Sequence, residues 1–194
     1  MFQNKKVALI GPAPHILDRV QDFSGYDIVC RVKGMLPIPI EMIKYTGFRC
    51  DVWYPANGFL KKNPDLCLLD EVKFIRCSKK SSNDIPIEVK HKWSRLEYNR
   101  KELKEILGAT PNRGLIAMID IVKEQPAELY ITGFTFYQGD AYYPGYTTIE
   151  GNSNMILMKG NAGNHIQEPQ INYFREKILP FVKVDWKMKQ MFNV

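Results

Sequence analysis

The chain has no Asp-x-Asp pair, no Cys-x-x-Cys pair and no apolar run approaching the roughly 20 residues that cross a bilayer as a helix. Each absence removes a class of protein. Cys30, Cys50, Cys67 and Cys77 are spaced too widely for a zinc-ribbon or zinc-finger pattern. Met1 to Lys6 lacks the apolar core of a signal peptide, so a soluble, cytoplasmic protein with reduced thiols is expected. Histidine is scarce, with only His15, His91 and His165 available for proton transfer near neutral pH. No internal repeat or low-complexity tract is present.

What is there is ordinary globular composition, 45% hydrophobic and 25% charged over 194 residues, enough for one substantial core and short for two. One domain spanning residues 1–194 is expected. A formal net charge of +6 permits an anionic partner but does not choose among nucleotide, nucleic acid and membrane headgroups. Nucleic acid calls for cations interleaved with stacking aromatics, and Lys79-Lys80, Lys90-His91-Lys92-Trp93 and Arg95 come nearest. That run reads first as a solvated loop, and it keeps a basic nucleic-acid- or partner-binding module as an alternative.

The stretch Thr110 to Tyr137 organises the rest. A polar turn through Pro111, Asn112, Arg113 and Gly114 opens a run whose Leu115, Ile116, Ala117, Ile119, Ile121 and Val122 suit a buried helix, closed by Pro126. Glu128 to Thr132 then reads as a strand running into Gly133. Lys5 to Lys33 has a related plan: strand, a Gly11-Pro12-Ala13-Pro14 turn, a helical Ile16-Leu17-Val20 face, and a second strand around Asp27 to Arg31. Further strands are expected near 51–54 and 72–76, with helices near 14–20, 97–107, 114–124 and 169–179. The resulting fold class is α/β, a mostly parallel sheet with helices on both faces.

Between these elements, Pro55 to Gly58 reads as a loop with Asn57-Gly58 as a turn, and Ser78 to Asp84 as an exposed loop. Phe181 to Val184 reads as a last strand, and Trp186 to Phe192 as a packed short helix or a surface for membrane or partner. Gly139 to Gly163, rich in glycine and polar residues, reads as a lid or binding loop, and Tyr137, Tyr142, Tyr143 and Tyr146 either contact a ligand there or simply pack.

In their order these segments resemble the sialyltransferases. The family's long motif, strand, Gly-Asn-Gly/Ser, then Asp-x-Val-x-Arg-x-Asn, is matched at Gly11, Asp27, Val29 and Arg31. Its short motif, Ser/Thr-Ser-Gly-Leu before a helix and then Gly-(Phe/Ile)-Asp-Phe-Tyr, is matched at Gly114, Leu115, Gly133, Phe134, Phe136 and Tyr137. Tyrosines followed by a histidine and an acidic residue are matched by Tyr142, Tyr143, His165 and Glu168. The chain departs from the pattern at Pro12 and Lys33, which stand for asparagines, at Asn112 and Arg113, which stand for hydroxyl residues, and in the shorter His165 to Glu168 spacing.

The resemblance implies a Rossmann-like, glycosyltransferase A-type variant fold and a metal-independent, inverting transfer of a sialic-acid-like sugar from a CMP-activated donor to a glycan hydroxyl, with no cofactor. It implies a nucleotide seat at Gly11, Ala13, Arg31, Asn112, Gly114 and Gly133. It implies His165 as general base oriented by Glu168, with Tyr142 and Tyr143 holding the leaving phosphate. His15, in the first glycine loop, is a further candidate to meet a phosphate. Two alternatives stand beside this reading: another nucleotide sugar on the same fold or nucleotide binding without transfer, and the basic binding module above.

Overall fold

The structure, a computed structural model, describes residues 1–33, 36–96, 100–138 and 166–194. Its strands are short apolar runs: β1 (Lys6–Ile10), β2 (Ile28–Val32), β3 (Cys50–Tyr54), β4 (Val72–Cys77), β5 (Trp93–Arg95), β6 (Glu128–Thr132) and β7 (Lys183–Val184). They form one seven-stranded sheet in the order β5-β4-β3-β2-β1-β6-β7. Every neighbouring pair is parallel. β1 sits between β2 and β6, with Val7 opposite Ile28 on one side and Leu129 on the other. Strands covered on both faces read as continuous hydrophobic runs, which is why VALI in β1 and the whole of CDVWY in β3 are buried.

Side-chain alternation divides the core. Val7, Leu9, Cys30, Val32, Val52 and Tyr54 point to a face covered by α3 (Arg100–Leu107), α4 (Arg113–Lys123), α5 (Gln167–Lys177) and α6 (Trp186–Phe192). Ala8, Ile10 and Val29 point to the other, against Ile16, Phe23 and Met42, the last from α1 (Ile40–Thr46). Toward β4 that second face continues through Trp53 and Ile75 onto Phe59 and Leu60 of α2 (Asn57–Lys62). The expected fold class, a parallel sheet with helices on both sides, is the one observed.

α4 is buried from Gly114 to Ile121, as its all-round apolar sequence requires. Its one acid in that stretch, Asp120, accepts from Tyr54 Oη at 2.7 Å and Arg76 Nε at 2.9 Å, and Arg76 also reaches Glu124 at 2.6 Å. Burial pushes the Asp120 carboxyl up and the Arg76 guanidinium opposes it, with a net rise.

Chain direction creates the feature that matters most for function. From β1 the chain steps outward through β2, β3 and β4 to β5, then returns past α3 and α4 to lay β6 on the opposite side of β1. The sheet therefore has a topological switch point between β1 and β6, where successive connections leave in opposite directions and a crevice opens at the carboxyl ends of the strands.

Several local expectations are corrected. The helix expected near 14–20 is a four-residue 3-10 turn, Pro14–Leu17, and Val20 is 65% exposed, so the apparent Ile16-Leu17-Val20 face is not a packed one. Asn57 and Gly58 open α2 instead of forming a turn, with the Phe59 and Leu60 N–H groups donating to the Ala56 carbonyl. Ser78 to Asp84 is not an exposed loop, since Ser81 and Ser82 are buried and their hydroxyls bond Ser78 and the Lys79 carbonyl. The basic run around Lys90 ends in the edge strand β5, and the last strand shrinks to Lys183–Val184 after a 3-10 turn, Leu179–Phe181. Trp186 to Phe192 is the packed helix α6, anchored by Met188 and Phe192.

Candidate functional site

At the switch point two chain segments pass in van der Waals contact. Gly11 N donates to the Thr132 carbonyl at 2.8 Å and Ala13 N to the Gly133 carbonyl at 3.0 Å. Gly133 has φ +77°, and a Cβ placed on it would lie 2.2 Å from the Gly11 carbonyl oxygen, while one on Gly11 would lie 2.3 Å from that of Gly133. Both positions require glycine, for close approach at Gly11 and for approach and conformation at Gly133. The Phe134 ring then rests over Gly11 and Gly114, whose hypothetical Cβ atoms would meet its Cε1 at 2.8 and 2.6 Å.

Beside this ring is a hollow enclosing about 40 Å³, lined by Pro12, Lys33, Asn112, Thr135 and Tyr137 among others. A liquid water takes about 30 Å³, so the enclosed part holds about one water-sized group, and most of any larger ligand would lie across its open mouth.

Asn112 caps α4: its Oδ1 accepts from Leu115 N at 2.8 Å and its carbonyl from Ile116 N at 3.1 Å. The side-chain NH2 of Asn112 has no acceptor among the described residues. The turn is held from behind by Gln170, 1% exposed, whose Oε1 accepts from Asn112 N at 2.8 Å and whose Nε2 donates to the Ile166 carbonyl. The positive end of α4 and its first N–H groups thus border the hollow, an arrangement that favours an anion.

Three side-chain-bearing residues near the hollow adopt the left-handed conformation: Lys33 (φ 57°), Phe136 (φ 48°) and Tyr137 (φ 61°). Such backbones cost on the order of 1–3 kcal/mol each and persist where packing over-determines them. Phe136 is held by aromatic contacts to Phe174 and Phe192, at 5.1 and 6.0 Å between centroids. Lys33 is held through its main chain, its N donating to the Tyr54 carbonyl at 2.8 Å and its carbonyl accepting from Trp53 Nε1 at 2.6 Å. Its Nζ lies 3.5 Å from Tyr137 Oη and 5.8 Å from the centre of that ring.

Behind Gly133 lies Asp185, 4% exposed, the cap of α6. Its Oδ2 accepts from His15 Nε2 (2.7 Å), Thr132 Oγ1 (2.8 Å) and Gly133 N (2.9 Å), and its Oδ1 from Met188 N (2.8 Å). Burial pushes this carboxyl up, but the bonds from His15, Met188 and Gly133 prevail and hold it below the usual aspartate range. His15 Nδ1 is buried without a hydrogen-bond partner, and the ring meets Trp186 edge-on at 6.1 Å. His15 is therefore turned to Asp185 and is not presented to the hollow.

The structure brings together Gly11, Asn112, Gly114 and Gly133. Ala13 is buried beneath the Gly133 carbonyl and does not line the hollow. Arg31 is fully buried on the other side of β2, its guanidinium donating to the Arg49, Thr46 and Gly47 carbonyls at 2.8–2.9 Å, so it secures the α1–β3 connection and lies off the hollow. Glu168 is exposed in the first turn of α5. His165, Tyr142 and Tyr143 lie outside the described residues. Lys33, Gln170 and Asp185 are the site residues that sequence reasoning did not select: the first stood only as a departure from a motif, and the other two act through contacts with distant segments that no local pattern announces.

The four cysteines are free and buried, with Cys50 pushed up to about 12 and Cys77 to about 11 by burial, which makes them inert as nucleophiles. Among the described residues no three His, Cys, Asp or Glu side chains come together as a metal site, and no helix is long and apolar enough to cross a membrane.

The fold is similar to that of a solved bacterial enzyme, the sialyltransferase CstII from Campylobacter jejuni in complex with a substrate analogue, CMP-3FNeuAc. The likeness covers 93% of this chain and 86% of that one, with a TM-score of 0.51 and 14% sequence identity. At that identity it establishes a common sialyltransferase-like α/β architecture. No family model and no curated protein matches the chain.

Proposed function

We propose that the protein is a glycosyltransferase that takes a sugar from a nucleotide-activated donor, with a CMP-linked, sialic-acid-like sugar as the donor class and a glycan hydroxyl as acceptor. The observation that carries the reading is the hollow at the β1–β6 switch point, where the Asn112 turn, the amino end of α4 and the Lys33 ammonium meet on a sheet like that of a solved sialyltransferase. In this reading the donor phosphate sits at the hollow, with nucleoside and sugar across its mouth. Tyr142, Tyr143 and His165 take part in the reaction in this reading.

Inverting transfer needs an acceptor hydroxyl that loses its proton as its oxygen attacks the anomeric carbon. His165 is the general base in this reading, as a group that titrates near working pH. Tyr142 and Tyr143 donate to the leaving phosphate, and Glu168 orients the histidine. Neither task requires a divalent metal.

A thermal-shift panel of cytidine, uridine, guanosine and adenosine mono- and diphosphates tests donor recognition, because a ligand that binds only the folded state raises its stability. CMP is expected to raise the Tm most. Transfer from a CMP-sugar is expected to persist in EDTA and to fall about 100- to 10,000-fold in His165→Ala with CMP binding nearly unchanged. No shift with any nucleotide removes the reading; a shift without transfer reduces it to nucleotide binding.

A further inference from the structure

Lys33 stands where the sialyltransferase motif closes with asparagine, and the backbone there is left-handed, a conformation in which asparagine is several-fold enriched over lysine. The conformation is fixed by main-chain bonds to Tyr54 and Trp53 and so persists whatever the side chain. Lys33 lines the hollow, as the Asn112 turn does, and its Nζ lies next to Tyr137 Oη. Among the described residues that line the hollow none is acidic.

We propose that Lys33 is a catalytic residue that stabilises the negative charge developing on the departing nucleotide phosphate, with Tyr137 Oη holding the ammonium in place. The inference rests on the function proposed above. In the step, the bond between the anomeric carbon and the phosphate oxygen breaks with its electron pair going to that oxygen. A bond from the acceptor oxygen to the anomeric carbon forms, and the acceptor's proton passes to the base. The donor phosphate begins as a diester with one negative charge and leaves as a monoester with two. Lys33 keeps its proton throughout. A fixed ammonium interacts more strongly with the second charge than with the first, and only such a difference between ground and transition states accelerates the reaction.

The test compares affinity for CMP with affinity for a non-transferable CMP-sugar analogue, by calorimetry, in the wild type, Lys33→Asn and Lys33→Arg, together with kcat. Lys33→Asn is expected to weaken CMP about 10- to 100-fold and the analogue only a few-fold, and to reduce kcat about 100- to 1,000-fold. Lys33→Arg is expected to recover part of each. Within the wild type, CMP binding is expected to tighten from pH 5 to 7.5 as the phosphate's second proton, pKa about 6, leaves. The analogue carries no such proton, so the CMP-to-analogue affinity ratio is expected to rise over the same range; this measurement stands even if Lys33→Asn fails to fold. Equal losses for CMP and analogue, an unchanged kcat, or a pH-independent ratio each overturn the role of Lys33 and leave the proposed function standing. A wild type that binds neither nucleotide overturns both.

Discussion

His15 Nε2 and Asp185 Oδ2 lie 2.7 Å apart although the residues are 170 positions apart in the sequence, and the same oxygen receives the N–H of Gly133. One buried carboxylate thereby fixes both glycine segments that meet at the switch point, the first through His15 and the second directly, while its other oxygen caps α6.

Removing that carboxylate leaves several buried donors unanswered at once. Asp185→Ala is expected to destabilise the fold by about 3–5 kcal/mol, the range for breaking a buried charged hydrogen-bond group. For a chain of this size that is a Tm loss of roughly 6–20 °C, read by calorimetry. The effect depends on pH in a defined direction. Because the folded carboxyl is held below its ordinary value, its contribution is fully present above the unfolded pKa of about 3.9 and is lost as pH falls from there through the folded value. The stability gap between the wild type and Asp185→Asn is therefore expected to narrow on acidification below about pH 4, and a gap that widens there contradicts the assignment.

The glycine crossing makes a paired prediction. Gly133→Ala combines a disfavoured positive φ with a Cβ 2.2 Å from the Gly11 carbonyl oxygen, and is expected to cost about 2–4 kcal/mol in denaturant unfolding. Gly58→Ala is the control. Nothing lies within 4 Å of its Cβ and the residue is in α2, so it is expected to stabilise by about 0.4–1 kcal/mol. Equal effects at the two sites would show that the close approach is not what requires Gly133.

These contacts mark the boundary of what the sequence discloses. β1 and α4 are legible because an element covered on all sides is a continuous apolar run, β6 because a short aromatic and β-branched run ends at Gly133, and Asn112 before Gly114 is a recognisable helix start. The false helix at 14–20 arose because Ile16, Leu17 and Val20 have helical spacing, although Pro14 starts only a 3-10 turn and Val20 faces solvent. Arg31 keeps its motif position while its guanidinium bonds the Arg49, Thr46 and Gly47 carbonyls, since the motif records which residue occurs and not which side of the strand it faces. Gln170 behind Asn112 and Asp185 behind Gly133 join segments 58 and 52 residues apart, and no periodicity encodes such meetings.

Asn112 both caps α4 through Oδ1 and lines the hollow, and substitutions divide the cap from the proposed contact of its NH2 with phosphate. Asn112→Ala removes both, and is expected to lower stability by about 1 kcal/mol and to weaken CMP. Asn112→Ser keeps an acceptor for Leu115 N and loses the amide donor, so stability is expected to stay near the wild-type value while CMP affinity falls about 3- to 10-fold, the worth of one hydrogen bond. Asn112→Asp is the decisive variant. A carboxylate caps a helix at least as well as an amide and suits the positive end of its dipole, so the fold is expected to be as stable or slightly more so. Toward a phosphate in the hollow it is a like charge, and the same substitution is expected to reduce CMP affinity more than 10-fold at low salt, with the loss shrinking as ionic strength screens the repulsion. If Asn112→Asp binds CMP as tightly as the wild type, the phosphate does not sit at the amino end of α4, and the nucleotide site must be sought elsewhere on the sheet.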